Sequence, residues 1–264
     1  MRSDISAARI LEATIASILD SGTTVDFDLT FYREIGPLCD AASLHETSPE
    51  ELLHALSRRR TGDLLDFGCG IAGHRRMIET EFGFTWHGIN YAEAMPAGAI
   101  AQATDPDIVY YDGRVLPYRD GSFDAVYSFL VFEHIQDIGL TFSEIRRVLR
   151  PGGVLIGAVS YLEQIHDAST FNFTPYGFKL ACDRAGLEVT RIYPRYDVFT
   201  WLLRRLLVTT RGHEANSLTE IHKQDGPITQ QLGAFGQRMG LSVRDTNLFL
   251  LLFSTQFTFE VQRR

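Results

Sequence analysis

The stretch that decides the fold is Leu64-Leu65-Asp66-Phe67-Gly68-Cys69-Gly70-Ile71-Ala72-Gly73. Its first four residues predict a short buried strand, its glycines predict a tight turn, and a helix is expected to begin near residue 72. Gly68, Gly70 and Gly73 match the pattern G-x-G-x-x-G, which is typical of dinucleotide-binding sites and suggests a nicotinamide or flavin enzyme.

Asp66 argues against a dinucleotide. Such a site presents a pyrophosphate to the strand end and the helix N-terminus, and a carboxylate two residues before the first glycine would repel it. S-adenosylmethionine (SAM) carries a sulfonium and an ammonium instead of phosphates, and an acid favours both cations. The same glycines therefore imply different chemistry depending on this one neighbour, and Asp66 favours a cationic ligand.

Composition limits the classes of function. The 264 residues suit one large α/β domain, with or without an inserted subdomain. An excess of acidic residues gives a net charge of −8, which disfavours nucleic acid and anionic membranes as partners. A local basic patch could still exist, because the net charge does not show how charges are distributed. Arg58-Arg59-Arg60 and Arg204-Arg205 are too short to predict such a patch.

The cysteines and the apolar runs bear on localisation. Three widely spaced cysteines, Cys39, Cys69 and Cys182, predict neither a disulfide framework nor a metal site, which fits a reducing cytoplasm. Charged residues interrupt the apolar positions near the N-terminus, so no signal peptide is predicted. The longest apolar run, Leu248–Phe253, is too short to cross a membrane. We expect a soluble, cytoplasmic protein.

Strand and helix signals alternate through the middle of the chain. The predicted strands are 64–67, 85–89, 108–111, 125–129, 154–159, 187–193 and 248–261, and the predicted helices are 4–20, 49–60, 72–81, 92–103, 138–149 and one from residue 175 that ends at Gly186. This rhythm predicts an α/β fold with a doubly wound, mostly parallel sheet. The predicted segments are an N-terminal helical lid (1–48), a cofactor-binding core (49–193), a helical insertion that caps the acceptor (194–245) and the final strand (246–264).

Ligands of open parallel sheets bind beyond the carboxyl ends of the strands. Asn90 follows the second strand and could bond a ribose hydroxyl, or it could cap the next helix. Asp112 and Gly113 follow the third strand and could bind an adenine edge, or they could form a plain turn. His134 follows the fourth strand and is a candidate base, or a core or capping histidine.

Six motifs in order carry a resemblance to a known family. The chain resembles the class I SAM-dependent methyltransferases, in particular the ubiquinone-biosynthesis-like, type 11 small-molecule group, over roughly residues 50–193. The matching motifs are Leu64–Gly70, Gly88-Ile89-Asn90, Asp112–Pro117, Asp120–Asp124, Phe132–Ile135 and Leu149–Gly153. The resemblance implies a Rossmann-like sheet of seven strands with a reversed final hairpin.

The resemblance also implies roles for residues at the strand ends. The glycine loop (Asp66, Gly68, Cys69 and Gly70) would contact the methionine part of SAM, Asn90 the ribose, and Asp112 with Gly113 the adenine. Tyr91 and Phe129 are expected beside the cofactor as well. The chain departs from the family pattern twice, since Ala72 displaces the third glycine and Asn90 replaces the usual acid.

Two further segments point to the acceptor. Residues 161–166 and 171–177 resemble a segment of family members that act on sugars and natural products, and they make His166 a second candidate base or else a surface histidine. Tyr32, in the predicted lid, could cover the sulfonium or pair with His134, or belong to an aromatic core.

These features predict methyl transfer from SAM to an oxygen, nitrogen or activated carbon of a small, partly apolar molecule, such as a natural-product or sugar-type intermediate. No N/D-P-P-aromatic run follows the fourth strand, so a nucleic-acid base is not the expected acceptor. Neither a metal nor a membrane partner is predicted, and the protein is expected to be a monomer or a homodimer. The alternatives are a SAM-fold enzyme with a non-methylating reaction such as cyclisation, a nicotinamide oxidoreductase, and an inactive SAM-binding subunit.

Overall fold

A seven-stranded sheet organises the computed structural model, which describes residues 2–21, 32–91, 105–163, 168–211 and 224–264. Its strands are β1 (Asp63–Phe67), β2 (Thr85–Tyr91), β3 (Ile108–Tyr111), β4 (Phe123–Phe129), β5 (Leu149–Ser160), β6 (Leu187–Asp197) and β7 (Ser254–Arg263). Their order is β3-β2-β1-β4-β5-β7-β6. The pairs β2–β3, β1–β2, β1–β4 and β4–β5 are parallel. The predicted seven-stranded α/β fold is confirmed.

Seven helices accompany the strands in the described part of the chain. They are α1 (Arg2–Asp20), α2 (Pro49–Ser57), α3 (Ile138–Val148), α4 (Pro175–Arg184), α5 (Val198–Arg211), α6 (Pro227–Arg238) and α7 (Val243–Leu251). A capping box opens α2, because the Ser48 side chain accepts from the Glu51 amide and the Glu51 side chain accepts from the Ser48 amide. The predicted helix 92–103 lies outside the described residues. None of the helices in the described ranges has the length and apolar character needed to cross a bilayer.

The chain divides into two compact units. The sheet unit comprises Ser48–Ser160, Gln164–Arg191 and Thr258–Arg264, and the helical unit comprises Met1–Thr47, Tyr161–Glu163 and Ile192–Phe257. Both units are discontinuous in sequence, since each contains part of β6 and part of β7.

Aromatic rings fill the core of the sheet unit. Phe132, fully buried, packs against Phe67, Phe142 and Phe259 with ring centroids 5.7, 4.9 and 6.2 Å away. These tilted, edge-to-face and stacked pairs add to the free energy gained from burying the rings. Because Phe132 lies three residues beyond the last residue of β4, this packing fixes the path of the chain at the carboxyl end of the sheet.

A buried carboxylate joins distant segments of the helical unit. Glu46 is 2% exposed, and its two carboxylate oxygens accept from the Thr229 hydroxyl (2.8 Å) and the Asp225 amide (3.0 Å). The Glu46 amide in turn donates to Asp225 Oδ1 at 2.7 Å. Burial raises the pKa of Glu46 from 4.5 to about 7, against the effect of its hydrogen bonds.

The structure differs from the sequence prediction at the last strand. Residues 248–251, predicted as part of one strand 248–261, form the end of α7, and β7 begins only at Ser254. The Ser242 side chain caps this helix by accepting from the Asp245 amide. Leu248 to Leu251 are all buried, and a fully apolar run cannot distinguish a buried strand from a buried helix. The predicted strand was therefore wrong at its start.

The structure also differs from the predicted helix 72–81. The chain first turns through Ala72, whose φ is 62°, and residues Met77–Glu81 then form a π-helical turn. The Phe82 amide donates to the Met77 carbonyl at 3.1 Å. π-Helical turns are uncommon and are frequent near functional sites.

Candidate functional site

The glycine loop joins β1 to the helical turn that follows. Gly68 and Gly70 have φ values of 77° and 57°, which favour glycine. The Gly68 and Cys69 amides both donate to the Ile89 carbonyl, at 2.8 and 3.2 Å, and so fasten the loop to β2. A Cβ on Gly68 would overlap Val131, whereas a Cβ on Gly70 would meet nothing within 4 Å. Gly68 is thus required by packing, and Gly70 borders open space where a ligand can approach the backbone.

Asn90 holds the glycine loop through a pair of hydrogen bonds to one residue. Its Oδ1 accepts from the Gly70 amide at 2.9 Å, and its Nδ2 donates to the Gly70 carbonyl at 2.8 Å. The Cys69 thiol also donates to Oδ1, at 3.6 Å. An aspartate could accept from the amide but could not donate to the carbonyl. These contacts give a physical reason for an amide at the position where the family usually has an acid.

The Asp66 carboxylate lies behind the loop. It is 2% exposed, and its Oδ2 accepts from the Trp86 indole at 3.0 Å. Gly88 leaves the space for this ring, because a Cβ there would overlap Trp86. Burial raises the pKa of Asp66 from 3.8 to about 6, while the bond from Trp86 and the charge of His74 oppose the rise. Asp66 thus places a negative charge under the loop, screened from solvent.

His74 follows the glycine loop and lies among aromatic rings at the carboxyl end of β4. Its ring centroid is 5.2 Å from that of Tyr127 and 5.8 Å from that of Phe129, both edge-on. Its Nε2 is 4.0 Å from Glu50 Oε1, which accepts from the Tyr127 hydroxyl at 2.7 Å. His74 therefore connects Phe129, a predicted cofactor neighbour, with the capped start of α2.

Tyr91 and Gly113 form a wall at the ends of β2 and β3. The φ of Gly113 is 77°, and a Cβ there would overlap the Tyr91 ring. The Tyr91 and Tyr111 rings lie 6.1 Å apart. Asp112 is exposed, and its Oδ1 accepts from the Arg114 amide at 2.9 Å. This turn presents a carboxylate next to an aromatic surface, an arrangement that suits a planar ring bearing an amine.

Arg75 connects the segment after the loop with the start of β3. Its guanidinium donates to Asp105 and Asp107, each at 2.8 Å, and its Cζ lies 4.8 Å from the centre of the Trp86 ring. Glu79 also accepts from this guanidinium, at 3.3 Å, so the ring that binds Asp66 is covered on one face by a cation that three acids hold in place.

Cys69 faces inward. Burial raises the pKa of its thiol to about 12, so the side chain is a neutral donor to Asn90 and not a nucleophile. A contact between Cys69 and a ligand would have to use the backbone.

The three predicted catalytic residues lie in different parts of the chain. His134 ends the short 3₁₀ turn Phe132–His134 after β4, in the sheet unit, and is partly exposed. Tyr32 belongs to the helical unit, where burial and the nearby Tyr32 raise the pKa of Tyr161. His166 lies outside the described residues. Among the described ranges, no three His, Cys, Asp or Glu side chains gather in a way that could hold a metal ion.

Several strand-end residues predicted from the sequence lie close together, but the side chains that support them were not predicted. Asp66, the loop glycines and Asn90 lie in one cluster, and Tyr91 contacts Gly113. Trp86, His74 and Glu50 were not predicted. Trp86 could have been found, because it lies two residues before Gly88 on the same face of β2. The contact of His74 with β4 depends on the irregular turn at Ala72, which no sequence pattern indicated.

These observations define a class of protein. A seven-stranded sheet in this order, with a glycine-loop site at the ends of β1 to β4, is the architecture of a class I SAM-dependent methyltransferase domain. The family model for the type 11 methyltransferase domain matches residues 65–157. That segment of the chain is similar to this family, whose members use SAM as their cofactor.

Curated relatives agree with the family match. The 2-methyl-6-phytyl-1,4-hydroquinone methyltransferase of Synechocystis sp. is 35% identical over 99 residues, which cover 36% of this chain and 31% of the relative. The norajmaline N-methyltransferase of Rauvolfia serpentina is 30% identical over 153 residues, which cover 54% of this chain and 51% of the relative. The matches thus span about a third to a half of these relatives.

A solved structure from Galdieria sulphuraria, named for a sarcosine dimethylglycine methyltransferase, superimposes with a TM-score of 0.50. The identity is 16%, and the match covers 81% of this chain and 84% of that one. At this level of identity the likeness supports the fold alone.

Proposed function

We propose that this protein transfers a methyl group from SAM to an oxygen, nitrogen or activated carbon of a small molecule. The glycine loop carries the proposal, because a single asparagine holds it by both polar groups of Gly70 over a buried carboxylate. This site offers open space at Gly70 and negative charge below it. Such a combination suits a cationic cofactor without phosphates.

The residues present fit SAM in three parts. The loop from Gly68 to Gly70 would lie along the methionine part, with the Asp66 charge favouring its ammonium and sulfonium at short range. Tyr91, Gly113 and Asp112 would receive the adenine, the ring on Tyr91 and the exocyclic amine on Asp112. Asn90 is engaged with Gly70, so it would support the cofactor chiefly through the loop.

Bound SAM would supply a methyl carbon activated by the neighbouring sulfonium. The protein would have to hold the acceptor atom in line behind that carbon, so that a bond to the acceptor could form while the carbon–sulfur bond breaks and leaves its electron pair on sulfur. A hydroxyl or a protonated acceptor must also lose a proton. We propose that His134 accepts this proton as a general base, because it follows β4 where a reacting group would lie. His166 and Tyr32 are the supporting candidates.

The acceptor class proposed is a natural-product or sugar-type biosynthetic intermediate. The names of two relatives, with a phytyl-bearing hydroquinone and norajmaline as their substrates, support a small-molecule acceptor. We propose a cytoplasmic protein that acts as a monomer or homodimer and does not act on nucleic acid. The presence of three free and buried cysteines supports a reducing compartment.

Calorimetry with SAM and detection of S-adenosylhomocysteine by mass spectrometry test the proposal. We expect SAM to bind and S-adenosylhomocysteine to accumulate only when an acceptor gains one methyl group. A product formed without that gain would indicate a non-methylating reaction, and absence of SAM binding would overturn the proposal.

The assignment of His134 is tested separately with His134→Ala. We expect turnover to fall by about 10²- to 10⁴-fold, as for loss of a general base, with little change in the dissociation constant of SAM. Rapid quench kinetics on the methylated product checks this. Full turnover in the variant would remove His134 from the mechanism, while leaving the proposed reaction intact.

A further inference from the structure

The chain between β3 and β4 returns along the sheet without a helix. β3 and β4 run in the same direction, because β3 pairs parallel with β2, β2 with β1, and β1 with β4. A connection between two such strands usually contains a helix, which satisfies its own backbone groups. Residues 112–122, the crossover loop, form neither helix nor strand. Their backbone groups therefore need partners from other parts of the chain.

Arg147, on α3, holds the crossover loop at several points. Its guanidinium donates to the carbonyls of Leu116 and Tyr118, at 3.0 and 2.8 Å, and to Asp120 Oδ1 at 2.9 Å. The Arg147 carbonyl accepts from the Gly121 amide at 2.9 Å. The Arg147 side chain is 26% exposed and that of Asp120 is 80% exposed, so the bonds to the two carbonyls matter more than the ion pair.

Glu144 completes the attachment at Leu116. It lies one turn before Arg147 and accepts from that guanidinium with both carboxylate oxygens, at 2.9 and 2.7 Å. Its Oε2 also accepts from the Leu116 amide at 2.9 Å. The bond from Arg147 holds the pKa of Glu144 below its usual value, against the effect of burial. One charged pair thus binds both the amide and the carbonyl of Leu116.

Leu116 follows closely on the turn that forms one wall of the candidate cofactor site. In that turn Asp112 is exposed and accepts from the Arg114 amide, and Gly113 lies against the Tyr91 ring. Leu116, by contrast, is 2% exposed and anchors this end of the crossover loop in the core. A displacement of Leu116 would therefore change the position of Asp112 relative to the Tyr91 ring.

We propose that Arg147 and Glu144 are positioning residues that set the preference of the cofactor site for adenine. They act through Leu116, which they hold so that the Asp112 carboxylate stays at the height of the exocyclic amine of the base. This inference rests on the proposed function, in which Asp112 accepts from that amine.

The experiment compares three ligands by calorimetry. They are S-adenosylhomocysteine, S-inosylhomocysteine, in which a carbonyl oxygen replaces the exocyclic amine, and methylthioadenosine, which lacks the amino-acid part. The first and second ligands together measure the preference for adenine, and the first and third measure the preference for the amino-acid part. In the unchanged protein we expect the inosine ligand to bind at least about tenfold more weakly than S-adenosylhomocysteine, because its oxygen faces a carboxylate.

Arg147→Lys keeps the positive charge but loses the planar guanidinium that binds Glu144 and two carbonyls together. We expect the preference for adenine to fall at least about threefold, while the preference for the amino-acid part stays unchanged. Glu144→Gln is the milder variant, because it keeps an acceptor for the Leu116 amide and loses only the ionised pair. It should lower the same preference by a smaller factor. Circular dichroism checks that each variant is folded.

Arg146→Lys is the matched control on the same helix. Arg146 is partly buried like Arg147, and it donates to the Gly186 carbonyl, beyond the end of α4, at 3.3 Å. We expect this variant to keep both preferences. An equal shift in the control and in Arg147→Lys would overturn the proposal, since any loss of an arginine from α3 would then suffice.

Three other results would overturn the inference. They are an unchanged preference for adenine in both test variants, an equal loss of both preferences, and an unchanged protein that binds S-adenosylhomocysteine and the inosine ligand equally well. Each of these leaves the proposed methyl transfer intact. If the unchanged protein binds none of the three ligands, the proposed function itself fails.

Discussion

Asp66 in the sheet unit and Glu46 in the helical unit are both carboxylates with 2% exposure, yet their surroundings differ. Glu46 accepts from a backbone amide and a hydroxyl of a segment about 180 residues away in sequence. Asp66 accepts from one indole and lies behind a loop that borders open space. A buried carboxylate can thus link distant segments of a fold, or it can provide negative electrostatic potential at a binding site. The groups around the carboxylate decide which of these roles it has.

The largest expected effect tests the structural role of Glu46. Glu46→Ala leaves the Asp225 amide and the Thr229 hydroxyl without their acceptor. At about pH 5, where Glu46 is still protonated in the folded protein, it should lower the free energy of unfolding by about 2 kcal/mol. Chemical denaturation checks this. SAM affinity of the folded variant should stay unchanged, and a large loss of affinity would show that the two carboxylates do not differ in role.

The pH dependence of Glu46 has a definite sign. Its pKa is higher in the folded protein, about 7 against 4.5, so its contribution to stability is present below pH 4.5 and is lost as pH rises through 7. Glu46→Gln, which does not titrate, should flatten the fall in stability between about pH 5 and 8. An unchanged slope would contradict the assignment.

The next effect concerns the loop that Asp66 supports. Asn90→Asp removes the donor to the Gly70 carbonyl and puts a negative oxygen against it, so SAM affinity should fall about tenfold or more. If Asn90 acted mainly on a ribose hydroxyl, the added charge would strengthen binding instead. Calorimetry distinguishes the two outcomes by sign.

The helical unit offers a matched control. The Asn247 amide donates to the Asp40 and Ser43 carbonyls at 3.0 and 2.8 Å, so Asn247→Asp loses the same kind of bond away from the loop. This variant should lose stability while its folded form keeps its affinity for SAM. Parallel loss of affinity in both variants would remove the special role of Asn90.

A smaller change in SAM affinity is expected when the charge of Asp66 is removed. Asp66→Asn keeps an acceptor for Trp86 but removes the buried charge, so SAM affinity should fall up to about tenfold at neutral pH. Stability should rise by about 1 to 3 kcal/mol, because a pKa raised from 3.8 to about 6 corresponds to about 3 kcal/mol at most.

In the unchanged protein, the stability contribution of Asp66 is present below pH 3.8 and is lost as pH rises through 6. Affinity for SAM should follow the opposite course and improve as Asp66 ionises. Thermal unfolding and SAM titration over this range check both signs, and a variant with unchanged affinity would show that the charge does not act on the cofactor.

The smallest effect is expected at Ala72. A φ of 62° is unfavourable for a residue with a Cβ, and Ala72→Gly would remove that strain at the cost of a more flexible unfolded chain. The net gain in stability should be a few tenths to about 1 kcal/mol by denaturation. A loss of stability would mean that the Ala72 methyl makes a contact worth more than the strain.

The same two regions show how much could be predicted from sequence. The strand ends of the sheet unit were predictable, because Asp66, Asn90 and Asp112 each follow an apolar run and parallel strands bring such positions to one edge. The bonds of Asn90 were not, because they depend on the orientation of the Gly70 peptide.

Prediction was poorer in the helical unit. Glu46 gave no local signal, since its partners are about 180 residues away in sequence. Residues 248–251 of α7 were assigned to a strand, because burial on all sides removes the periodicity that distinguishes the two structures.

The double hydrogen bond between Asn90 and Gly70 also bears on the thermodynamics of ligand capture. Because the protein itself holds the backbone amide and the backbone carbonyl of Gly70, the loop is ordered during folding and not when a ligand arrives. The conformational entropy lost in ordering the loop then reduces the free energy of folding, and it does not reduce the free energy of binding. A preorganised loop of this kind lets a small cofactor bind tightly with few contacts of its own.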